Sequence, residues 1–308
     1  MEYDQEFIKE EVRCDWPISI LTKKVWFVQI DLIKEFDRIC RKYDLKWYPF
    51  FGTLLGCVRH NGYIPWDDDV DVVMPRKDFD KFVNICKKEI KEPYFLQTTL
   101  SDEQCYMMWV SLRNSNTTGN RRSCLNKKQN NGIAIDIIPL DGCENKGRIY
   151  KRNRRLLQII TVLCNTYVNE INTTTLAVIL RKFLRLFPID YKKVYLWAER
   201  QNRKYKWDDY EYVTFRALAP LPPKAESVMY RKDDFKDTVM MPFEYISIPV
   251  PIGYDRILKT TYGDYMKFPP IDKREGKHDI IYAPDEPYKE YCSREFNVKY
   301  SSVTKEKI

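Results

Sequence analysis

Gly52–Arg76 reads GTLLGCVRHNGYIPWDDDVDVVMPR, and it crowds four carboxylates, Asp67, Asp68, Asp69 and Asp71, together. Val72, Val73 and Met74 follow at once, so the acidic run opens onto an apolar strand, predicted over Asp69–Met74. Alternate residues of a strand face the same way. Asp69 and Asp71 then share one face, while Asp68, Val70 and Val72 take the other. Two carboxylates side by side repel, and a divalent cation between them removes that cost. Hard oxygen ligands of this kind suit Mg²⁺ or Mn²⁺, and Mg²⁺ commonly takes one or two carboxylates plus substrate phosphates. Acidic runs also lie in solvent-facing loops, and Asp67 and Asp68 fit that plainer role.

The flanks of the stretch add to this. LKWYPFFG reads as a short strand ending at Gly52, and TLLGCVRH as a short helix stopped by Asn61-Gly62. A small-residue turn at Gly52-Thr53 lets backbone N–H groups approach a phosphate at a helix N-terminus. Further along, GIAIDIIPL is an apolar strand whose one charge is Asp136, on the face of Ala134 and Ile138. A buried unpaired aspartate is costly. A neighbouring metal, a hydrogen bond or one of the many arginines would each resolve it. Tyr63, Trp66, Trp47 and Tyr48 lie near the acidic run. Ring faces hold quaternary ammonium groups, and aromatic residues at this density also build cores.

The rest of the chain frames an α/β unit. Leu21, Val25, Val28, Leu32, Phe36 and Ile39 step by three and four and predict a helix over Ile18–Tyr43. Phe79, Phe82, Cys86 and Ile90 mark a second helix, and YFLQTT and YMMWVSLR two more strands. The hydrophilic NSNTTGNRRSCLNKKQNN reads as a mobile loop. After Gly142 the pattern turns helical and basic in KGRIYKRNRRLLQIITVLCNTYV and TLAVILRKFLRLF, and the tail beyond Pro220 reads as loops with short elements. The predicted division is a catalytic unit over 18–142 and a mainly helical region over 143–308 that completes the site.

The 308 residues, 44% hydrophobic and 31% charged, describe a folded protein rather than a disordered one. A net charge of +8 suits a protein that meets anions. Nine cysteines form no C-x-x-C pair and there are two histidines, which argues against structural zinc. The acidic start is no secretory signal and no apolar run spans a bilayer. The expectation is a cytoplasmic protein with reduced thiols, placed at the inner face of the membrane if the basic segment from Lys146 touches anionic lipid.

The order of a G-T turn, a D-x-D pair opening a strand, and a third aspartate on a later strand resembles the nucleotidyltransferase fold. The longer Gly52–Arg76 string, with AIDIIPLDG and YGDYMKFPPIDKREGKH downstream, resembles the LicD family, which includes bacterial phosphocholine transferases and the fukutin-related proteins. The resemblance implies an α/β, nucleotidyltransferase-like mixed sheet with flanking helices. It implies transfer of phosphocholine or a similar phospho-alcohol from a CDP-linked donor to a hydroxyl of a glycan or glycolipid, with no nucleic acid as partner. Asp69 and Asp71 would hold Mg²⁺ (or Mn²⁺), and Asp136 would be a further ligand or accept the acceptor's proton. Gly52, Thr53 and Arg59 would meet phosphate, and Trp66 and His278 would contact substrate. Release of pyrophosphate by a true nucleotidyltransferase, a D-x-D glycosyltransferase, and a non-enzymatic ion- or glycan-binding module are the competing readings. An EF-hand is excluded, because the sixth position from Asp67 is Val72 and not glycine.

Overall fold

Ser19 starts the first long helix by accepting the Thr22 backbone N–H on its hydroxyl, which satisfies one of the donors left free at a helix start. In the computed structural model the described residues are 2–102, 104, 105, 107, 109–144, 183, 186, 190–215, 229–274 and 279–300. Strands β1 (Glu11–Arg13) and β2 (Trp16–Ile18) form a hairpin ahead of helix α1 (Ile20–Lys42). Then come β3 (Tyr48–Pro49), α2 (Phe51–His60), β4 (Asp71–Pro75), α3 (Arg76–Glu89), β5 (Tyr94–Gln97), β6 (Val110–Asn114), β7 (Thr118–Arg121), α4 (Arg122–Leu125) and β8 (Ile133–Cys143). The later described elements are α5 (Tyr191–Asn202), β9 (Tyr212–Thr214), β10 (Met229–Arg231), β11 (Thr238–Phe243), β12 (Ile246–Pro251), α6 (Tyr254–Tyr262), β13 (Ile280–Ala283) and α7 (Tyr288–Phe296).

The central sheet is mixed. Its main path runs β10-β9-β8-β4-β3, and β6 adds to β8 and carries β5. β8 is the spine. It pairs parallel with β4, antiparallel with β6, and through Asp141–Cys143 antiparallel with β9. The buried stripe of α1, including Val25, Val28, Leu32, Phe36 and Ile39, packs toward β6 and β8. Leu21, predicted in that stripe, is exposed because it sits in the first turn, ahead of the sheet contact. Arg76, at the start of α3, grips Asp141 of β8 through Nε and Nη2 at 2.6 and 2.9 Å and also reaches Glu199 of α5. That ion cluster ties a later helix to the sheet.

Two expectations change. The region beyond 143 is not mainly helical, since its described part supplies five strands, two of them extending the central sheet. The two basic-apolar segments predicted as helices there, including the one offered to lipid, lie outside the described residues apart from Phe183 and Leu186. The hydrophilic stretch after β6 is not a loose loop. β7 pairs with β13, and the fully buried Asn131 accepts from the amides of Asn120 and Gln129 while its carbonyl takes the Gly119 N–H. Side-chain amides, a distant strand and the buried Leu125, which packs against Cys292 and Val298, order this segment. All described cysteines are free thiols.

Candidate active site

Asp71 is the first residue of β4, two positions later than the predicted strand start at Asp69. Its backbone is clamped at both ends. The Asp71 N–H donates to the Thr53 hydroxyl at 2.9 Å, and the Asp71 carbonyl accepts the Phe50 N–H at 2.9 Å. Thr53 is buried in the first turn of α2, and its hydroxyl fixes the acidic run. Gly52 is needed for a close approach, because a Cβ there would lie 2.3 Å from Oδ2 of Asp67. The carboxylate of Asp67 thus lies against the first turn of α2, where the helix dipole favours an anion.

Asp136 lies beside Asp71 in the parallel pairing, and its N–H donates to the Val70 carbonyl at 2.9 Å. Residues in register on parallel strands put their side chains on one side of the sheet. Burial pushes the Asp71 carboxyl well above its ordinary value, and repulsion from Asp69, Asp136 and Asp67 adds to it. Burial also raises Asp136. The Ser111 hydroxyl, which donates to Oδ1, and the charge of Arg113 oppose that rise. The indole N–H of Trp109 stands near enough to favour the ionised form, yet it closes no hydrogen bond of normal geometry.

Two cavities meet at the acidic run. The smaller, about 290 Å³, is lined by Asp68, Asp69 and Asp136 with Gln29, Trp109 and Tyr282. The larger, about 510 Å³, is lined by Gly52, Asp67, Asp69 and Asp71 with Arg59 and Lys267. Asp69 belongs to both. Asp71 lines the larger cavity and Asp136 the smaller, with the two residues in register on adjacent strands. Tyr282 donates its hydroxyl to the carbonyl of Asp68 at 3.1 Å, and Gln29 Nε2 donates to the same carbonyl at 2.8 Å. Trp26 Nε1 holds the Asp67 carbonyl at 3.2 Å. The loop is therefore fixed through its main chain, which turns its side chains toward the cavities.

Among the described residues, no three His, Cys, Asp or Glu side chains close on a common point that would hold an ion. The donor set suits a hard divalent cation held by one or two carboxylates and completed by substrate oxygens. Asp69 and Asp71 fit that description, because their mutual repulsion is what a cation would relieve.

Arg59 is held in the larger cavity by a 2.7 Å bond from Nη1 to the Tyr265 carbonyl, with its guanidinium 4.9 Å from the centre of the Phe268 ring. Trp66 lines the same cavity, but its ring already faces the guanidinium of Arg274 at 4.8 Å and meets Trp16 and His60 edge-on. An internal cation thus lies over this ring. Tyr63 stacks on Trp26 and, with Trp47 and Tyr48, is buried, as the core reading of these aromatics required. His278 lies outside the described residues. Gln29, Ser111, Trp109 and Tyr282 are site-lining residues that no motif of the sequence marks. Gln29 carried a signal: it is a polar residue at the Val25-to-Ile33 step of an otherwise apolar stripe.

A helix opening on a G-T turn, a D-x-D pair clamped to that turn, and a third aspartate in register on a parallel neighbour define a phosphotransfer enzyme of nucleotidyltransferase type. Residues 46–157 match the family described as LicD/FKTN/FKRP, nucleotidyltransferase domain. The chain carries that domain over those residues. It is 26% identical over 255 residues to the lipopolysaccharide cholinephosphotransferase LicD of Haemophilus influenzae, an alignment spanning 82% of this chain and 93% of that protein. It is also 33% identical over 76 residues to an uncharacterized protein of Rickettsia prowazekii, covering 18% of this chain and 29% of that protein. Among the described residues, no helix is long and apolar enough to cross a membrane.

Proposed function

We propose that the protein moves phosphocholine, or a similar phospho-alcohol, from a CDP-linked donor to a hydroxyl of a cell-surface glycan or glycolipid. The observation that carries this reading is the position of Asp69, shared by two cavities, with Asp71 open to one and Asp136 to the other. Two reactants that meet at one acidic centre need that arrangement. The similarity to a cholinephosphotransferase supports the choice of donor.

The donor diphosphate lies in the larger cavity, beside Arg59 and Lys267. Mg²⁺ or Mn²⁺ held by Asp69 and Asp71 would offset the charge of the diphosphate. The acceptor hydroxyl enters the smaller cavity, and Asp136 takes its proton. The new bond forms between that oxygen and the phosphorus bearing the alcohol, as the bond from this phosphorus to the CMP oxygen breaks. CMP leaves with the electron pair. Ser111 holds one Asp136 oxygen and leaves the other for the proton.

The test is a panel of CDP-choline, CDP-ribitol and CDP-glycerol with Mg²⁺, read as CMP release. Release from one of them is expected. Pyrophosphate release from nucleoside triphosphates, with no CMP from any CDP donor, contradicts the reading.

A further inference from the structure

Gln29 is buried in the wall of the smaller cavity, 2% exposed. Its Nε2 donates to the Asp68 carbonyl. A carbonyl only accepts, so this partner fixes which way the amide points. The other end, Oε1, is buried and has no hydrogen-bond partner. A buried acceptor without a donor costs free energy, and buried polar groups in folded proteins nearly always have a partner.

The surroundings say what kind of partner fits. Asp68, Asp69 and Asp136 line the same cavity and are acceptors when ionised. Arg113, the buried cation of this wall, is committed through Nε to Gln97 Oε1 at 2.5 Å and through Nη1 to the Gly132 carbonyl at 2.6 Å. Arg121 and Lys127 line the far side of the same cavity, but the Gln29 acceptor and the neighbouring carboxylates favour a ligand that donates hydrogen bonds to this wall. A hydroxyl compound meets that need.

We infer that Gln29 Oε1 receives a second hydroxyl of the acceptor, next to the hydroxyl that attacks, so that the cavity selects a polyol or sugar ring bearing neighbouring hydroxyls. This rests on the phosphotransfer reading. The attacking hydroxyl gives its proton to Asp136, so it has none for Gln29, and a second O–H must supply it. A simple alcohol leaves Oε1 unpaired and is rejected on that ground.

The experiment uses the CDP donor that releases CMP and offers ethylene glycol and 1-propanol, alcohols of matching size, in one competition. Phosphorus NMR reads the two phosphodiester products. Wild-type protein is expected to favour ethylene glycol per hydroxyl on the order of tenfold, the worth of one buried acceptor satisfied. In Gln29→Met the preference is expected to vanish. The ratio is read within one reaction, so a lower overall rate does not disturb it. Equal use of both alcohols by wild-type protein, as a bound water on Oε1 would give, overturns the inference without recourse to the variant. Retention of the preference in Gln29→Met overturns it too. CMP release without the preference removes this inference alone. No CMP release from any donor removes the phosphotransfer reading and this one with it.

Discussion

Asp71 and Asp136 stand side by side on parallel strands, in register, yet line separate cavities joined at Asp69. The pairing keeps three acids close with burial raising two of them, an arrangement that favours binding over stability. Asp69→Asn and Asp71→Asn are each expected to lower CMP release by about 10²–10³-fold, the usual scale for removing one group that meets developing charge. Activity near wild type at saturating Mg²⁺ would remove that residue from the site.

Asp71→Asn has a second expected effect. The folded-state value of Asp71 lies above its ordinary 3.8, so the folded protein holds a proton that the unfolded chain releases. Stability from this group is then present at low pH and lost as pH rises from 3.8 through the folded value. The amide keeps the shape without the charge. The ligand-free variant should melt higher than wild type at pH 7, with the gain shrinking toward pH 4. A lower melting temperature at pH 7 would mean that Asp71 has a compensating partner.

Thr53→Val should destabilise the fold by about 1–3 kcal/mol, because it leaves the Asp71 N–H without its acceptor. Thr53→Ser should recover most of that loss. Urea denaturation of both variants measures it, and equal stability of the two would show that the hydroxyl is idle.

Trp66→Ala is expected to weaken CMP and CDP-choline in equal proportion. The ring face is taken by Arg274, itself fixed to the carbonyls of Pro269 and Cys14. Titration calorimetry with both ligands decides this. A loss confined to CDP-choline would show that choline displaces the guanidinium.

His60 gives a pH dependence of opposite sign. Burial, then the charges of Arg59, Arg13 and Arg274, push its value down from 6.5 to about 4. As pH falls below 6.5 the unfolded chain binds the proton first, so stability from this residue is lost between 6.5 and about 4. The ring is only partly buried, which mutes the effect. Melting temperature across that window should fall less in His60→Gln than in wild type. Parallel curves would contradict the assignment.

The sequence exposed the acidic centre because charge in an apolar strand is costly and strand alternation is regular. Asp69, Asp71 and Asp136 stood out for that reason. The alternation did not show that Asp136 lines a cavity with Ser111 and Trp109, since these arrive from a third segment. The ordering of the stretch around Asn131 was hidden for a similar reason. It comes from amide pairs and from β13, far along the chain, and leaves no local apolar pattern. Trp66 read as a ligand face because Arg274, its partner, is remote in sequence. Gln29 was visible only as a break in the apolar stripe of α1.

The most direct test is hydrolysis of CDP-choline by the protein in water enriched in heavy oxygen, with Mg²⁺ and no other acceptor. Water then takes the acceptor's place beside Asp136, and mass spectrometry locates the label. Attack on the choline-bearing phosphorus predicts labelled phosphocholine and unlabelled CMP. Label in CMP would place the attack on the nucleotide phosphorus and contradict the transfer of a phospho-alcohol.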